Sequence, residues 1–264
     1  MQKPPPLPVI ALSSTALFLD FDGTLADLAP QPDAVRIVGD LVPLLRQLSS
    51  HLGGGLAVVS GRRLNDLDEF LSPLQLPTAA EHGAQRRLAD GRLASVEPPD
   101  LAPTIRAASA LAERHAGLRL EIKTAAVALH YRHAPELEAL CLHVMSEAAT
   151  RTRGVELLHG KFVFEVKPAG VSKGTAIAAF MRDAPFAGRV PVFAGDDVTD
   201  EAGFSVVQSL GGFGVKVGEG LTLAKHRCTS PTALRQWLRT VCPDPKILPG
   251  REGMEPKEFH STKS

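Results

Sequence analysis

Two aspartates directly follow the first apolar run of the chain. Asp20 and Asp22 stand in the segment Asp20-Phe21-Asp22-Gly23-Thr24-Leu25, immediately after Ala16–Leu19. Side chains at positions i and i+2 of an extended segment point the same way, so both carboxylates can reach one site. Gly23 allows the backbone to turn sharply and approach a ligand. The position of that glycine excludes an EF-hand loop. A solvated acidic turn is the alternative, and the motif alone does not exclude it.

A second acidic group follows the apolar run Val190–Ala194. Asp196, Asp197, Asp200 and Glu201 place four carboxylates within six residues, where they repel one another. A solvated loop could tolerate this repulsion, but a hard divalent cation explains it better. Mg²⁺ prefers oxygen ligands and usually binds one or two carboxylates together with water and a substrate phosphate. The pattern therefore predicts Mg²⁺ as the cofactor.

Two further motifs offer groups that bind anions. Residues 58–62, with the sequence VVSGR, end an apolar run with a hydroxyl side chain and an open backbone N–H. Residues 172–175, SKGT, begin a predicted helix, whose N-terminus favours anions. A capped turn and a surface lysine are the alternatives, and Lys167 competes with Lys173 for a place at the anion. Gly174 and the helix dipole favour Lys173.

Short apolar runs alternate with helical patterns around these motifs. Strands are predicted at Ala16–Leu19, Leu56–Val59, Val190–Ala194 and Phe213–Val217. Helices are predicted at about 41–52, 64–71, 175–181, 201–210 and 232–241. This alternation predicts an α/β core whose parallel sheet is covered by helices on both faces. Ligands of such sheets bind beyond the carboxyl ends of the strands, where the motifs stand.

The segment from 86 to 168 has a different pattern. Asp90-Gly91 indicates a hairpin, and three stretches alternate apolar with polar residues at 118–122, 127–131 and 162–166. Helices are predicted among them at about 103–115 and 135–151. This α+β pattern predicts an inserted domain over 86–168, which divides the core into 15–85 and 169–242.

Composition narrows the function classes. The chain has 264 residues, 44% of them hydrophobic, and its 29 basic and 29 acidic residues cancel, so no basic excess suggests a nucleic-acid partner. Three scattered cysteines indicate reduced thiols in a cytoplasmic protein. No stretch is long and apolar enough to predict a membrane span, and the run before Asp20 lacks a cleavage site. Residues 1–14 are expected to be a flexible leader and residues 243–264 a disordered tail.

The four motifs in this order resemble the haloacid-dehalogenase (HAD) superfamily of aspartyl phosphatases, whose motifs read DxDGT, S/T, K and GDxxxD. Longer segments across residues 16–240 are similar to the trehalose-6-phosphate phosphatase family within it: LDFDGTLADLAPQPD, VVSGR, EHGAQRR, EIKTAAVALHYR, GKFVFEVKPAGVSKG and GDDVTDE. The resemblance implies a Rossmann-like HAD core with an inserted cap domain. It also implies Mg²⁺-dependent hydrolysis of trehalose 6-phosphate to trehalose and phosphate, the last step of trehalose biosynthesis.

The resemblance implies a role for each matched residue. Asp20 would attack phosphorus, and Asp22 would protonate the leaving oxygen and then activate water. Ser60 and Lys173 would hold phosphoryl oxygens. The metal-binding set would be Asp20, the carbonyl of Asp22, Asp196, and, directly or through water, Asp197 and Asp200. The substrate-binding set would be Gly23, Thr24, Gly61 and Arg62 in the core, with Glu121, Lys123 and Glu165 gripping glucose hydroxyls from the cap. Weaker candidates are Lys161, His130 and Arg132, while His82 would touch substrate or fix the hinge.

Three alternatives stay open at this point. The same chemistry could act on another sugar phosphate, such as sucrose phosphate, because the core motifs detect only phosphate. A non-catalytic phosphosugar-binding module is disfavoured because Asp20 and Asp22 are both present. A dinucleotide-binding enzyme is disfavoured because no GxGxxG follows the first strand. The expected partner is a small sugar phosphate, and the expected state is a monomer or a weak homo-oligomer.

Overall fold

A computed structural model describes residues 7–29 and 34–242. The strands are β1 Thr15–Leu19, β2 Leu56–Val59, β3 Thr78–Ala80, β4 Gln85–Arg87, β5 Leu93–Ser95, β6 Arg119–Ile122, β7 Val127–His130, β8 Val155–Gly160, β9 Val163–Pro168, β10 Val190–Gly195, β11 Phe213–Val217 and β12 His226–Cys228. The helices are α1 Leu41–His51, α2 Leu64–Leu71, α3 Ala102–Ala112, α4 Glu138–Arg151, α5 Lys173–Phe180, α6 Glu201–Ser209 and α7 Pro231–Val241. Each predicted strand and helix is present, whereas β3, β8 and β12 were not predicted.

The larger sheet contains eight strands in the order β12-β11-β10-β1-β2-β3-β4-β5. The pairs from β12 to β3 are parallel, and β4 and β5 add an antiparallel hairpin. Chain order reverses at β1, since β2 lies on one side of it and β10 on the other. Such a switch point opens a crevice at the carboxyl ends of the strands, which places the expected site directly after β1.

Alternate side chains of the central strands point into two apolar layers. Leu17 and Leu19 of β1 belong to the layer that packs under α1, α2 and α7. Ala16 and Phe18 belong to the opposite layer, which packs under α5 and α6. All five residues of β1 are buried, because helices cover both faces of the sheet. The predicted parallel sheet with helices on both faces is confirmed.

The smaller sheet has the antiparallel order β6-β7-β9-β8 and forms a separate cap domain. Helices α3 and α4 pack against it around a core of its own that includes Val127, Leu129, Met145 and Phe164. The predicted α+β cap with antiparallel strands is therefore confirmed. In the described residues, no helix is both long enough and apolar enough to cross a bilayer.

Two predicted boundaries need correction. The hairpin β4–β5 was assigned to the cap from residue 86, but it extends the core sheet, because β4 satisfies the backbone groups at the open edge of β3. The leader was expected to be flexible over 1–14, yet Ile10 is buried in the core and Trp237 Nε1 donates to the Pro8 carbonyl at 3.1 Å. Residues 1–6 and the predicted tail 243–264 lie outside the described residues.

Candidate active site

Asp20 ends the line of backbone hydrogen bonds between β1 and β10. Its N–H donates to the Ala194 carbonyl at 2.9 Å, which turns its buried carboxylate into the crevice. Lys173 Nζ donates to Asp20 Oδ1 and to Asp200 Oδ1, both at 2.7 Å. Lys173 is the first residue of α5, whose start is fixed by the side chain of Ser172. The competing Lys167 lies in the cap sheet, where its Nζ donates to Glu156 and to the Val171 carbonyl.

Three carboxylates meet at the ends of β1 and β10. Oxygens of Asp20, Asp196 and Asp200 all lie within 4.8 Å of one another. Thr24 Oγ1 stands between two of them, 3.2 Å from Asp20 Oδ2 and 3.4 Å from Asp196 Oδ1. A Cβ on Gly23 would lie 2.2 Å from Asp196 Oδ2, so only glycine allows this approach. Gly23 and Thr24, predicted to bind substrate, thus pack against the acids and do not line the cleft.

The cluster holds more negative charge than Lys173 neutralises. Burial raises the pKa of Asp20 well above its usual range, although Lys173 opposes the shift. Burial and the charge of Asp200 raise the pKa of Asp196 to about 6. Burial lowers the pKa of Lys173, but Asp20 and Asp200 outweigh it and raise the net value above the ordinary one. Hard oxygen ligands with unbalanced negative charge fit a divalent cation such as Mg²⁺.

The other two predicted metal ligands have different partners. The Asp200 backbone N–H donates to the Asp197 carbonyl at 3.1 Å, and Asp200 Oδ2 accepts the Asp197 N–H at 2.8 Å. This reciprocal pair shapes the loop and turns Asp200 towards Lys173. The Asp22 carboxylate lies outside the three-carboxylate cluster, although Asp22 lines the same cleft.

Asp22 is held by Arg62, which was predicted to bind substrate. Arg62 Nε donates to Asp22 Oδ2 at 2.6 Å and Nη2 to Oδ1 at 2.7 Å. The guanidinium carbon lies 4.9 Å from the ring centre of Phe70 and 5.7 Å from that of Phe21. Ser60 Oγ accepts the Arg62 backbone N–H at 3.2 Å, so the turn after β2 orients both side chains. Arg62 therefore contacts the expected acid–base group.

The cap residues predicted from the sequence face the core across a cleft of about 260 Å³. Lys123 Nζ donates to Glu165 Oε2 at 2.7 Å and to the Gly61 carbonyl at 3.0 Å. Glu121 Oε2 lies 2.9 Å from His130 Nε2. Around them the cleft is lined by core residues Asp20, Asp22, Ser60 and Lys173, and by the weaker cap candidates Lys161, His130 and Arg132.

Charge in the cap part of the cleft is strongly paired. Burial raises the pKa of Glu165, but Lys123 and His82 outweigh it, so the net pKa falls below the usual range. Burial lowers the pKa of Lys123, yet Glu165 and Glu121 raise the net value. Burial lowers the pKa of His82, whose Nε2 lies 3.8 Å from Glu165 Oε2. At neutral pH the cleft thus presents a lysine cation beside a carboxylate.

Two buried charged residues at the site were missed by sequence reasoning. Lys216 lies in β11, is buried, and donates from Nζ to the Asp196 carbonyl, which fixes the backbone of the acidic loop. A lysine within the apolar run Phe213–Val217 was the available signal. Glu81 is buried at the end of β3 and binds backbone groups of the cap. Its partners are distant in sequence, so no local pattern indicated them.

Known proteins are similar to this chain in sequence and in fold. The family model described as Trehalose-phosphatase matches residues 18–235. The trehalose-6-phosphate phosphatase of Escherichia coli (strain K12) is 42% identical over 229 residues, which is 86% of each chain. A solved trehalose-6-phosphate phosphatase related protein has a TM-score of 0.69 at 27% identity, over 86% of this chain and 96% of that one.

A phosphatase of the HAD superfamily from Bacteroides thetaiotaomicron has the same fold at a TM-score of 0.58. It is 17% identical and covers 89% of this chain and 97% of its own. The expected HAD core with an inserted cap is thereby confirmed. Sequence, fold and the four motifs together show that the chain belongs to the trehalose-phosphatase family.

Proposed function

We propose that the protein hydrolyses trehalose 6-phosphate to trehalose and inorganic phosphate, the last step of trehalose biosynthesis. One observation carries the proposal: Asp20 and Lys173 meet the acidic cluster at the floor of a cleft whose opposite wall holds Glu121, Lys123 and Glu165. The floor suits a phosphate ester, and the wall suits the hydroxyl groups of a sugar.

In the first step a carboxylate oxygen of Asp20 attacks phosphorus. A bond forms between Asp20 and phosphorus while the bond from phosphorus to the sugar oxygen breaks. Asp22 gives its proton to the departing oxygen, so trehalose leaves as a neutral alcohol. The product on the protein is an aspartyl phosphate.

In the second step a water molecule attacks the same phosphorus. Asp22, now a carboxylate, takes a proton from that water, and the bond from phosphorus to Asp20 breaks. Inorganic phosphate leaves, and both aspartates return to their starting states. Lys173 and Ser60 hold phosphoryl oxygens in both steps. These fixed donors position the phosphoryl group and stabilise its negative charge.

The acidic cluster is suited to hold Mg²⁺. Asp20, Asp196 and Asp200 would hold it through carboxylate oxygens, with the Asp22 carbonyl as the expected backbone ligand. When bound, Mg²⁺ neutralises the negative charge that a carboxylate and a phosphate share at close approach. Lys216 holds the Asp196 backbone in place for this role.

The cap wall would select the sugar. Lys123 can donate to sugar hydroxyls, while Glu121 and Glu165 can accept from them.

We place the enzyme in the cytoplasm, because its three cysteines form no disulfide and a reducing compartment suits buried thiols. We expect a monomer or a weak homo-oligomer that needs neither nucleic acid nor a membrane.

Phosphate release from the purified full chain tests the proposal. The substrates are trehalose 6-phosphate, sucrose 6-phosphate and glucose 6-phosphate, each with Mg²⁺ and with a chelator. We expect Mg²⁺-dependent turnover that strongly prefers trehalose 6-phosphate and is lost in Asp20→Asn. Equal turnover of all three sugar phosphates would contradict the proposed preference for trehalose 6-phosphate. No turnover by folded protein with Mg²⁺ would contradict the reaction itself.

A further inference from the structure

Glu81 joins the core to the cap through both oxygens of its carboxylate. Oε1 accepts the Thr124 backbone N–H and Oε2 accepts the Ala125 backbone N–H, each at 2.9 Å. Thr124 and Ala125 form the turn between β6 and β7 of the cap, whereas Glu81 follows β3 of the core. Glu81 is 1% exposed, so two adjacent N–H groups of the cap depend on one buried core side chain.

The backbone around Glu81 is held in an uncommon conformation. Glu81 and His82 have φ angles of 48° and 58°, which non-glycine residues seldom adopt. The Glu81 N–H donates to the Arg62 carbonyl at 2.8 Å, and the His82 N–H donates to the Ser60 carbonyl at 2.9 Å. These bonds tie Glu81 to the turn that carries Ser60 of the phosphate site. Such strained residues persist where surrounding structure over-determines them.

The anchored turn begins one residue after Lys123. The Lys123 backbone N–H donates to the Ala126 carbonyl at 2.9 Å, which closes the turn that Glu81 binds. The Lys123 side chain then reaches back to Gly61 and Glu165. Fixing the turn therefore fixes where the Lys123 ammonium stands relative to Ser60 and the phosphate site.

We propose that Glu81 is a positioning residue for sugar recognition: by binding the Thr124 and Ala125 N–H groups, it sets Lys123 at a fixed distance from the phosphate site. The inference rests on the proposed function, because Lys123 must bind the sugar. The inference gives a residue of the core, and not only residues of the cap wall, a part in substrate selection.

Glu81→Gln tests the proposal in the full-length chain with Mg²⁺. Glutamine keeps the shape, but its amide nitrogen cannot accept a hydrogen bond, so one N–H of the turn loses its partner. We expect KM for trehalose 6-phosphate to rise about tenfold, which corresponds to about 1.4 kcal/mol. The inhibition constant of orthovanadate, which needs only the phosphoryl site, should stay within about twofold. Amide hydrogen exchange should accelerate at Thr124 and Ala125.

Two variants serve as controls. Glu138→Gln removes a cap carboxylate that binds the Tyr131 hydroxyl inside the cap at 3.0 Å, and it should change neither constant. Lys123→Ala should raise KM selectively, as Glu81→Gln does. If Lys123→Ala leaves KM unchanged, the proposed sugar contact is wrong. If only Lys123→Ala raises KM, the role of Glu81 is wrong.

Other outcomes also decide the question. An equal loss of substrate and orthovanadate binding in Glu81→Gln would mean a general structural role and would overturn the proposal. Unchanged exchange at Thr124 and Ala125 would overturn it as well. If Glu81→Gln does not fold, Glu81→Asp provides the test, because it keeps both acceptors and withdraws them from the turn. Glu81→Asp should give the same selective rise in KM, and normal KM in that variant would contradict the proposal.

Discussion

Arg62 and Asp22 form a two-point ion pair, with Nε–Oδ2 at 2.6 Å and Nη2–Oδ1 at 2.7 Å. The pair joins the turn after β2 to the turn after β1, and the rings of Phe21 and Phe70 hold the guanidinium in place. The expected acid–base group is therefore oriented by a planar donor whose geometry lysine cannot reproduce.

Arg62→Lys should lower kcat for trehalose 6-phosphate by about tenfold, because the single ammonium keeps the charge and loses the two-point orientation. Steady-state kinetics checks this. Asp22→Asn should lower kcat by more than about 100-fold. The double variant should be no slower than Asp22→Asn, since Arg62 acts through Asp22. Additive losses would show that Arg62 contributes by another route.

Gly23→Ala should lower activity at least about 100-fold, because its Cβ would displace the Asp196 carboxylate, and shifts of about 1 Å at an active site have costs of that size. Gly91→Ala is the matched control. Gly91 also has positive φ, at 85° against 72°, but a Cβ there meets nothing within 4 Å. In denaturant titrations each variant should lose about 1 kcal/mol of unfolding free energy from the positive φ, and Gly23→Ala should lose more because its Cβ meets the Asp196 carboxylate. Loss of activity in both, or in neither, would contradict the explanation.

Mg²⁺ should stabilise the protein through the acidic cluster. At a concentration of about 100 times Kd, it should add about 2.7 kcal/mol, or roughly 5–10 °C in Tm. In chelator, Asp196→Asn should melt no lower than the native chain, because burial and Asp200 disfavour charge on Asp196. With Mg²⁺ this variant should gain little. Asp66→Asn, which changes another carboxylate of the cleft, should keep the full increment.

Tyr131 is the only tyrosine of the chain, so its ionisation can be followed by absorbance near 295 nm. Burial and the hydrogen bond to Glu138 raise its pKa to about 12, from about 10 in an unfolded chain. Its folded-state pKa is the higher one, so its stabilising contribution is complete below about pH 10 and is lost as pH approaches 12. Glu138→Gln should lower the pKa. An unshifted titration near pH 10 in folded protein would contradict the buried position.

Much of the fold was predictable, because central strands and the helices that cover them have strong hydrophobic patterns in the sequence. Runs such as Ala16–Leu19 and Leu56–Val59 are apolar throughout, since both faces of the sheet are covered. The three-residue strands β3 and β12 were not predicted, because three residues are too few to show an alternating pattern. The hairpin β4–β5 was recognised from Asp90-Gly91, but which sheet it joins depends on a partner strand that the turn does not specify.

Site residues that stand in short sequence motifs were predictable, whereas contacts between residues distant in sequence were not. Asp20, Lys173 and Asp196 stand in motifs whose residue types already suggest phosphate and metal. That Arg62 binds Asp22, 40 positions earlier, follows only from two strand ends meeting at one edge. Glu81 reaches backbone groups 43 and 44 positions later, and any sequence has such N–H groups, so no residue type in the turn reveals the contact.

The outermost strands of the larger sheet, β5 and β12, are each only three residues long. An open edge offers unpaired N–H and C=O groups to any extended chain that comes alongside, and a ladder of three residues gives such a chain very little to bind. Both ends of the sheet therefore discourage strand addition between copies of the protein. Lengthening β5 by alternating Val and Thr would extend that ladder and should promote aggregation without any change in the cleft.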